Sequence, residues 1–274
     1  MTRRYAHKFG IWLLLLIALF FSIFPIYRLI AMSFMTNVQI TAWPPVFLFQ
    51  PTLDNWDYVL RTGPPYMRYI MNSFIIALAT TLVSVGVGSL AAYSLSRFLF
   101  PGRRVFMFWI LTARILPPVA IGIPFFLLMR QLGFVDSYIA VVLAHTSFIM
   151  PMCVWLMTSF FDRVPSELEA AAKVDGANPL QAFLYIVLPV ASPGIAAAAI
   201  LAFIFSWNEF FYALVLTGGA TRTMTVAVAG FQGALTLQWG WLAAAATLTI
   251  LPLLLVVFLT QRLLVTGLTA GALK

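Results

Sequence analysis

Long apolar runs alternate with short polar stretches along this chain. Six apolar segments are present, at about 11–33, 70–96, 105–130, 137–161, 190–216 and 241–265. A helix rises ~1.5 Å per residue and the hydrocarbon core of a bilayer is ~30 Å thick, so about 20 apolar residues cross it once. The pattern predicts an all-α, polytopic membrane protein with six transmembrane helices in a single domain, 1–274.

Composition excludes an ordinary soluble domain. Hydrophobic residues make up 62% of the chain and charged residues 9%, against roughly 45–50% and about 25% in globular proteins. The formal net charge is +8. The basic residues lie at the ends of the apolar segments and do not share one face, which favours contact with membrane lipid and argues against a nucleic-acid partner.

Basic residues in the connecting segments also predict the orientation. With a cytoplasmic N-terminus, the inner segments hold ten Lys and Arg residues and the outer segments hold four. Because cytoplasmic loops carry the excess of Lys and Arg, both termini are predicted to lie on the cytoplasmic side of the cell inner membrane. Two outer loops, 34–69 and 217–240, are much longer than the ~2–8 residues that usually join helices. The glycines of 217–240 predict a conformationally free loop.

The inner segment 162–189 predicts two short helices with a turn between them. Ser166 and Glu169 have the S-x-x-E spacing of a capping box, in which side chains satisfy backbone donors at a helix start. Gly176 follows the polar end of this helix, where a left-handed residue is preferred. The segment therefore contains its own start and stop signals.

The second short helix is predicted to begin at Asn178 as N-cap, with Pro179 first and Gln181 third. Its apolar residues recur at helical spacing and are Leu180, Phe183, Leu184 and Val187. Such a stripe docks into a groove of a partner protein or packs beneath the membrane helices of its own chain. The residues alone leave both alternatives open.

The same segment resembles the EAA loop of permease subunits of bacterial ABC importers. The matching residues are Glu169-Ala170-Ala171-Ala172, Asp175-Gly176-Ala177 and Ile186-Val187-Leu188-Pro189. Three further stretches are similar to the carbohydrate-importing branch, and to its shorter, six-span, maltose-type permeases in particular. They are Arg114-Ile115-Leu116-Pro117-Pro118, Leu132-Gly133-Phe134-Val135-Asp136-Ser137-Tyr138 and Ser206-Trp207-Asn208-Glu209-Phe210.

One departure concerns Glu169. With Asp175 and Gly176 aligned to the motif, the glutamate of the motif falls on Ala170, and Glu169 lies one residue earlier. One residue turns a side chain by ~100° around a helix. Glu169 therefore has two interpretations, a residue of the capping box or a contact to the ATPase.

The resemblance implies a type I ABC importer fold and its partners. The ATPase-coupling residues would be Glu169, Ala170, Ala171, Asp175, Gly176, Leu188 and Pro189. They would dock on an ATP-binding cassette ATPase dimer, a second homologous permease would complete the pathway, and a periplasmic or lipid-anchored solute-binding protein would deliver a carbohydrate. The chain has no G-x-x-x-x-G-K-[ST] loop, the sequence pattern that binds nucleotide phosphates. It is therefore not expected to be an enzyme or to hold a cofactor itself. ATP and Mg are expected on partner subunits.

The predicted substrate pathway contains Trp207, Asn208, Glu209 and Arg114. Glu209 is the only acidic residue within a predicted span, and such residues usually face the protein interior or a cavity. Glu209 binds sugar hydroxyls or tethers helices through hydrogen bonds. Arg114 lines the pathway or pairs with Glu209 or helix carbonyls.

The outer loop 217–240 has a further expectation from the resemblance. In maltose-type relatives this loop reaches into the cleft of the binding protein and helps displace the sugar. Here that role would fall on Gly230, Gln232, Gly233 and Thr236, or the loop is a passive cap. Thr225 stands where many relatives have proline.

The sequence argues against a metal site, a membrane enzyme and a secondary transporter. The two histidines, His7 and His145, have no acidic or Cys neighbours at ligand spacing, so no metal site is predicted. No catalytic constellation is present, which argues against a membrane enzyme. A secondary transporter working without an ATPase would commonly show internal repeats, and the sequence has no detectable repeat.

Overall fold

The computed structural model describes residues 2–112, 115–231 and 238–269, and these contain helices but no strand. In chain order the helices are α1 (Thr2–Met32), α2 (Asn37–Thr41), α3 (Asp54–Asp57), α4 (Tyr66–Arg97), α5 (Arg103–Thr112), α6 (Pro118–Gln131), α7 (Tyr138–Phe161), α8 (Ser166–Val174), α9 (Pro179–Ala182), α10 (Leu188–Val190), α11 (Ser192–Trp207), α12 (Phe211–Leu216), α13 (Met224–Ala229) and α14 (Trp239–Thr269). Two π-helical turns, Tyr58–Thr62 and Phe183–Val187, follow α3 and α9. The predicted all-α class is confirmed.

Within the described ranges, four helices are long and apolar enough to cross a membrane. They are Gly10–Met32, Tyr66–Arg97, Tyr138–Phe161 and Trp239–Gln261. The pair Pro179–Val190 and Ser192–Trp207, bent by 80°, makes a fifth when it is counted as one span. The chain is therefore polytopic, and the count of six spans stays a prediction.

The predicted third span, 105–130, is not one helix. It falls on α5 and α6, which have 10 and 14 residues. Pro117 is the N-cap of α6 and Pro118 its first residue. Proline has no backbone N–H and restricts the residue before it to extended conformations, so two consecutive prolines start a new helix and do not extend the previous one.

The chain forms two compact units, and the first comprises Met1–Met67 and Ala227–Leu251. Buried Asn55 organises its polar contacts by donating hydrogen bonds to the carbonyls of Ser33, at 3.1 Å, and Met35, at 2.8 Å. The ring of Tyr58 stacks on Trp241 with 3.7 Å between centroids. No residue of α1 from Gly10 to Ile30 is buried, so this stretch presents a surface suited to lipid or to another protein.

The second unit comprises Arg68–Val226 and Pro252–Lys274, and α7 packs along α11 within it. Helix α7 contributes much of the largest apolar cluster, including the fully buried Met157 and Phe161. Gly194 of α11 lies against the ring of Phe160, and a Cβ at position 194 would overlap that ring. Glycine is thus required for this close approach of two helices.

A carboxylate joins two loops of the second unit. Asp136, with a left-handed φ of 59°, accepts hydrogen bonds from the backbone N–H groups of Gly218, Ala220 and Thr221 at 2.8–3.0 Å, and from the Thr221 hydroxyl at 2.7 Å. Burial raises the pKa of Asp136, but the hydrogen bonds from Ala220, Thr221 and Gly218 outweigh it and lower the pKa from 3.8 to about 2.

Helix α4 holds the same loop from another side. The Asn72 amide donates to the carbonyls of Ala220, at 3.1 Å, and Arg222, at 2.9 Å. The Ser73 hydroxyl accepts a hydrogen bond of 2.9 Å from the Met224 N–H. The expected conformational freedom of the loop 217–240 is therefore wrong for 217–226, because its backbone groups are bonded to α4 and Asp136.

Replacement of Asp136 by Asn tests this loop contact. We expect Asp136→Asn to destabilise the protein by about 1–3 kcal/mol, because several N–H donors lose their charged acceptor. A carboxyl group whose pKa is lowered by folding stabilises the folded state fully at a pH above its unfolded pKa, 3.8. This contribution to stability is lost as the pH falls toward 2. Thermal unfolding in detergent, followed by Trp fluorescence, should therefore depend less on pH in that window in the variant.

The matched control is Asp54→Asn, which removes the same charge from an exposed position of α3. Equal melting temperatures for Asp136→Asn and Asp54→Asn would show that the contacts of Asp136 do not stabilise the fold.

Candidate functional site

The segment 162–189 forms the predicted helix–turn–helix, but Glu169 does not cap it. Helix α8 begins at Ser166, its N-cap is Pro165, and no side chain bonds to its first N–H groups. Glu169 is only 5% exposed. Its carboxylate pairs with Arg97 and accepts a 2.8 Å hydrogen bond from the Tyr93 hydroxyl. The predicted capping box is therefore wrong, because a guanidinium and a phenol of α4 engage the carboxylate.

The same end of α4 bonds the chain that leads into α8. Arg97 also donates to the Val164 carbonyl at 2.9 Å. Asp162 accepts a 2.6 Å hydrogen bond from the Ser96 hydroxyl and lies 3.6 Å from the Arg103 guanidinium. Several contacts thus fix 162–169 on the final turn of α4.

The end of α8 has the geometry that the sequence predicts. Gly176 adopts a left-handed φ of +89°. Its N–H donates to the Lys173 carbonyl at 3.1 Å, and the Ala177 N–H donates to the Ala172 carbonyl at 2.9 Å. These two bonds form a Schellman motif, which satisfies the last carbonyls of a helix. The predicted left-handed cap at Gly176 is confirmed.

The second short helix also starts as predicted, since Asn178 and Gln181 form a reciprocal capping box around Pro179. The chain continues through a π-helical turn and α10 to a bend of 80° before α11. The turn and α10 contain Leu188, which is half-buried, and Pro189, which is exposed.

The apolar stripe of the second short helix has two parts, one packed on its own chain and one available to a partner. Phe183 and Val187 are fully buried in the main apolar cluster, so half of the stripe packs beneath its own membrane helices. Leu180 and Leu184 are 57% and 43% exposed. The other half of the stripe thus faces away from the chain.

Exposed apolar side chains continue from this stripe across the helix–turn–helix. They are Leu168, Val174, Leu180, Leu184 and Tyr185. Five of the predicted coupling residues are exposed as well, namely Ala170, Ala171, Asp175, Gly176 and Pro189. Glu169 is the exception among the residues of α8 that the sequence singles out.

Glu209 lies in the break between α11 and α12. Its carboxylate accepts hydrogen bonds from the N–H groups of Tyr212, at 2.9 Å, and Ala213, at 3.1 Å, which are first-turn donors of α12. Its second contact is His145 of α7, whose Nε2 lies 3.0 Å from the carboxylate. The other ring nitrogen of His145 lies 2.8 Å from the Ser206 hydroxyl. Glu209 therefore joins α12 to α7, and His145 joins α7 to α11.

His145 was not predicted as part of this site. It is 61 and 64 residues from its two partners along the chain, so no local spacing indicates the contact. The available signal was a single ionisable residue in an otherwise apolar span, the same signal that identified Glu209.

The remaining predicted pathway residues differ in exposure. Trp207 is buried, and its ring stacks on Phe203 at 5.8 Å within an apolar cluster, so it does not present a free face for a sugar ring. Asn208 is exposed, and its amide donates to the Ile204 carbonyl at 2.8 Å. Arg114 lies outside the described residues, so its predicted pairing with Glu209 stays a prediction.

Of the four residues assigned to the binding-protein loop, Gly230 follows α13, while Gln232, Gly233 and Thr236 lie outside the described residues. Where side chains are described, no group of three or more His, Cys, Asp or Glu residues could hold a metal ion.

The family follows from comparison with known proteins. Residues 84–269 match the family described as the inner membrane component of binding-protein-dependent transport systems. The chain belongs to this family. The match includes the helix–turn–helix on α8 and α9 and the break that contains Glu209.

Two similar sequences cover most of the permease. It is 38% identical over 226 residues to the trehalose transport system permease protein SugB of Mycobacterium tuberculosis. This alignment covers 81% of this chain and 82% of that protein. It is 34% identical over 255 residues to the trehalose/maltose transport system permease protein MalG of Thermococcus litoralis, which covers 92% and 91%.

A solved structure is similar over nearly the whole length. A chain of a bacterial ABC transporter involved in the import of the acidic polysaccharide alginate superposes with a TM-score of 0.76 at 26% identity. The superposition covers 94% of this chain and 97% of that chain. The expected type I importer permease fold is thereby confirmed.

Removal of the Glu209 carboxylate should destabilise the permease. Glu209→Ala takes the acceptor from two N–H groups of α12 and leaves buried His145 without this partner, and an unsatisfied buried polar group costs about 1–3 kcal/mol. We expect a lower melting temperature and a lower yield of monodisperse protein in detergent. Glu209→Gln keeps one carbonyl acceptor and should lose less.

The control is Asn208→Ala at the adjacent exposed position. If Glu209→Ala purified with the yield and melting temperature of Asn208→Ala, the tether between helices would be refuted.

Proposed function

We propose that this permease is the transmembrane subunit of an ABC importer that moves a carbohydrate into the cell. ATP hydrolysis takes place on separate ATPase subunits, with ATP and Mg bound there. The helix–turn–helix at 166–190 carries this proposal. It is bonded to α4 through Glu169, and it exposes apolar side chains that no described residue of the chain covers.

Carbohydrate as the substrate class rests on the relatives. Two are named for trehalose or for trehalose and maltose, and the similar solved structure comes from an importer of a polysaccharide. Among the predicted pathway residues, Asn208 has the exposed side chain, so we assign it to the pathway. The contacts of Glu209 favour a tether within the chain, and Arg114 is assigned to the pathway from the sequence alone.

The proposed assembly has three kinds of partner. An ATPase dimer docks on Ala170, Ala171, Asp175, Gly176, Leu188 and Pro189 and on the exposed apolar side chains around them. A second homologous permease covers apolar helix faces, and an external solute-binding protein delivers the sugar. Both termini then lie in the cytoplasm, in agreement with the distribution of Lys and Arg.

A secondary transporter is the second candidate. A transporter that works alone has no partner to cover a solvent-facing apolar helix–turn–helix on one side of the membrane. An ATPase groove covers such a surface. Uptake by the permease expressed without any ATPase would favour this candidate.

Gly176 provides a test of docking. A residue with Cβ at a left-handed φ costs about 1–2 kcal/mol, so Gly176→Val should displace α9 from α8 while the membrane helices still insert. We expect the ATPase subunits to be lost from the purified complex, or to hydrolyse ATP without sugar uptake. Co-purification and the ratio of ATP hydrolysis to uptake measure this.

The matched control is Gly133→Val, which has a similar φ of +72°, equally open space around it, and a position in an outer loop. The ATPase subunits should co-purify with it. Retention of the ATPase and normal uptake in Gly176→Val would contradict docking at this turn.

The outer loop provides a test of sugar release. We propose that residues near Gly230, Gln232, Gly233 and Thr236 enter the cleft of the docked binding protein and displace the sugar. Replacement of 229–236 by a short Gly-Ser linker should leave insertion and ATPase docking intact but abolish uptake. Radiolabelled trehalose should then stay on the binding protein after trapping with ATP and vanadate.

The bonds that fix 217–226 lie outside the replaced residues, so the rest of the loop keeps its contacts. Release of trehalose at the normal extent from the trapped complex would assign the loop to a passive cap.

A further inference from the structure

We propose that Glu169 is a positioning residue that transmits motion of the coupling helix α8 into α4, and that it makes no contact to the ATPase. The proposal rests on the proposed function, since the motion comes from an ATPase docked on α8. It gives a role to Glu169, which lies one residue before the position of the glutamate in the family motif.

Both oxygens of the Glu169 carboxylate are engaged inside the chain. One pairs with Nε of Arg97, and the other accepts the 2.8 Å hydrogen bond from Tyr93. The side chains of Glu169 and Arg97 are 6% and 16% exposed. Ala170 and Ala171, the next residues of α8, are exposed. The face of α8 available to an ATPase is therefore not the face that carries Glu169.

The end of α4 also contacts the residues that flank the two short helices α8 and α9. Tyr93 packs on Phe183, with 4.7 Å between ring centroids, and Phe183 belongs to the stretch that follows α9. Arg97 holds the Val164 carbonyl ahead of α8. Because these contacts surround the carboxylate, the two short helices and the final turn of α4 form one connected group.

Separation of α8 from α4 is unfavourable. Withdrawal of α8 from α4 would leave a carboxylate and a guanidinium without partners in a site from which water is largely excluded, and an uncompensated buried charge is strongly destabilising. The pair therefore resists separation more than exposed ion pairs, which contribute little. A displacement of α8 moves the end of α4 with it.

The test compares Glu169→Gln with Glu167→Gln in the complete importer. Glu167 is exposed on the same helix, so the control removes an equal charge two residues away. Spin labels at positions 94 and 173, both exposed in the structure, report the distance between α4 and α8 in a background with Cys153→Ala. The distance is measured without nucleotide and after trapping with ATP and vanadate.

We expect one narrow distance distribution, the same in both states, for the unaltered chain and for Glu167→Gln. In Glu169→Gln the distribution should broaden or shift after trapping. ATP hydrolysed per radiolabelled trehalose imported should rise severalfold, while the ATPase subunits still co-purify. Tyr93→Phe, which removes one hydroxyl and keeps the ring, should show a smaller change in the same direction.

Two outcomes would overturn the proposal. One is identical distances and coupling ratios in Glu169→Gln and Glu167→Gln. The other is loss of the ATPase from Glu169→Gln with an unchanged distance, which would make Glu169 an ATPase contact. Failure of the ATPase to co-purify with the unaltered permease would instead refute the proposed function, and the label distance in the permease alone would still test the connection between α8 and α4.

Discussion

The packing of α7 on α11 is the contact on which the second unit depends. Apolar side chains gain little by leaving lipid for a protein interior, so membrane helices associate through close packing and through hydrogen bonds. Gly194 permits that close packing because a larger residue would overlap Phe160. Both loops that flank α7 then reach their partners, through Asp136 before α7 and through Asp162 after it.

The ionisable groups follow from the same constraint. Where water is scarce, a polar group needs a partner from the protein. Glu209 has one in His145 and two more in the N–H groups of α12. Glu169 has its partners in Arg97 and Tyr93. Residues that stand out in the sequence as candidates for substrate or ATPase contact are thus also residues that hold helices together.

Features with local causes were predictable from the sequence. The left-handed Gly176 and the Asn178–Gln181 capping box depend on residues within a few positions of each other, and both are present. Glu169 has the same S-x-x-E signal, yet its partners lie 72 and 76 residues away and prevail over the local alternative. The break at Pro117 was visible in the sequence, but the length of the apolar run favoured one continuous span. His145 had no local signal that pointed to Glu209.

Helix α4 has a length that the bilayer does not require. Its 32 residues correspond to about 48 Å at ~1.5 Å per residue, whereas the hydrocarbon core is ~30 Å thick. No proline interrupts it. Near its N-terminal end, Asn72 and Ser73 hold the loop at 217–226, and at its C-terminal end Tyr93 and Arg97 hold the helix–turn–helix. A continuous helix held at both ends connects the loop at 217–226 to the helix–turn–helix, so a displacement of one would be passed on to the other.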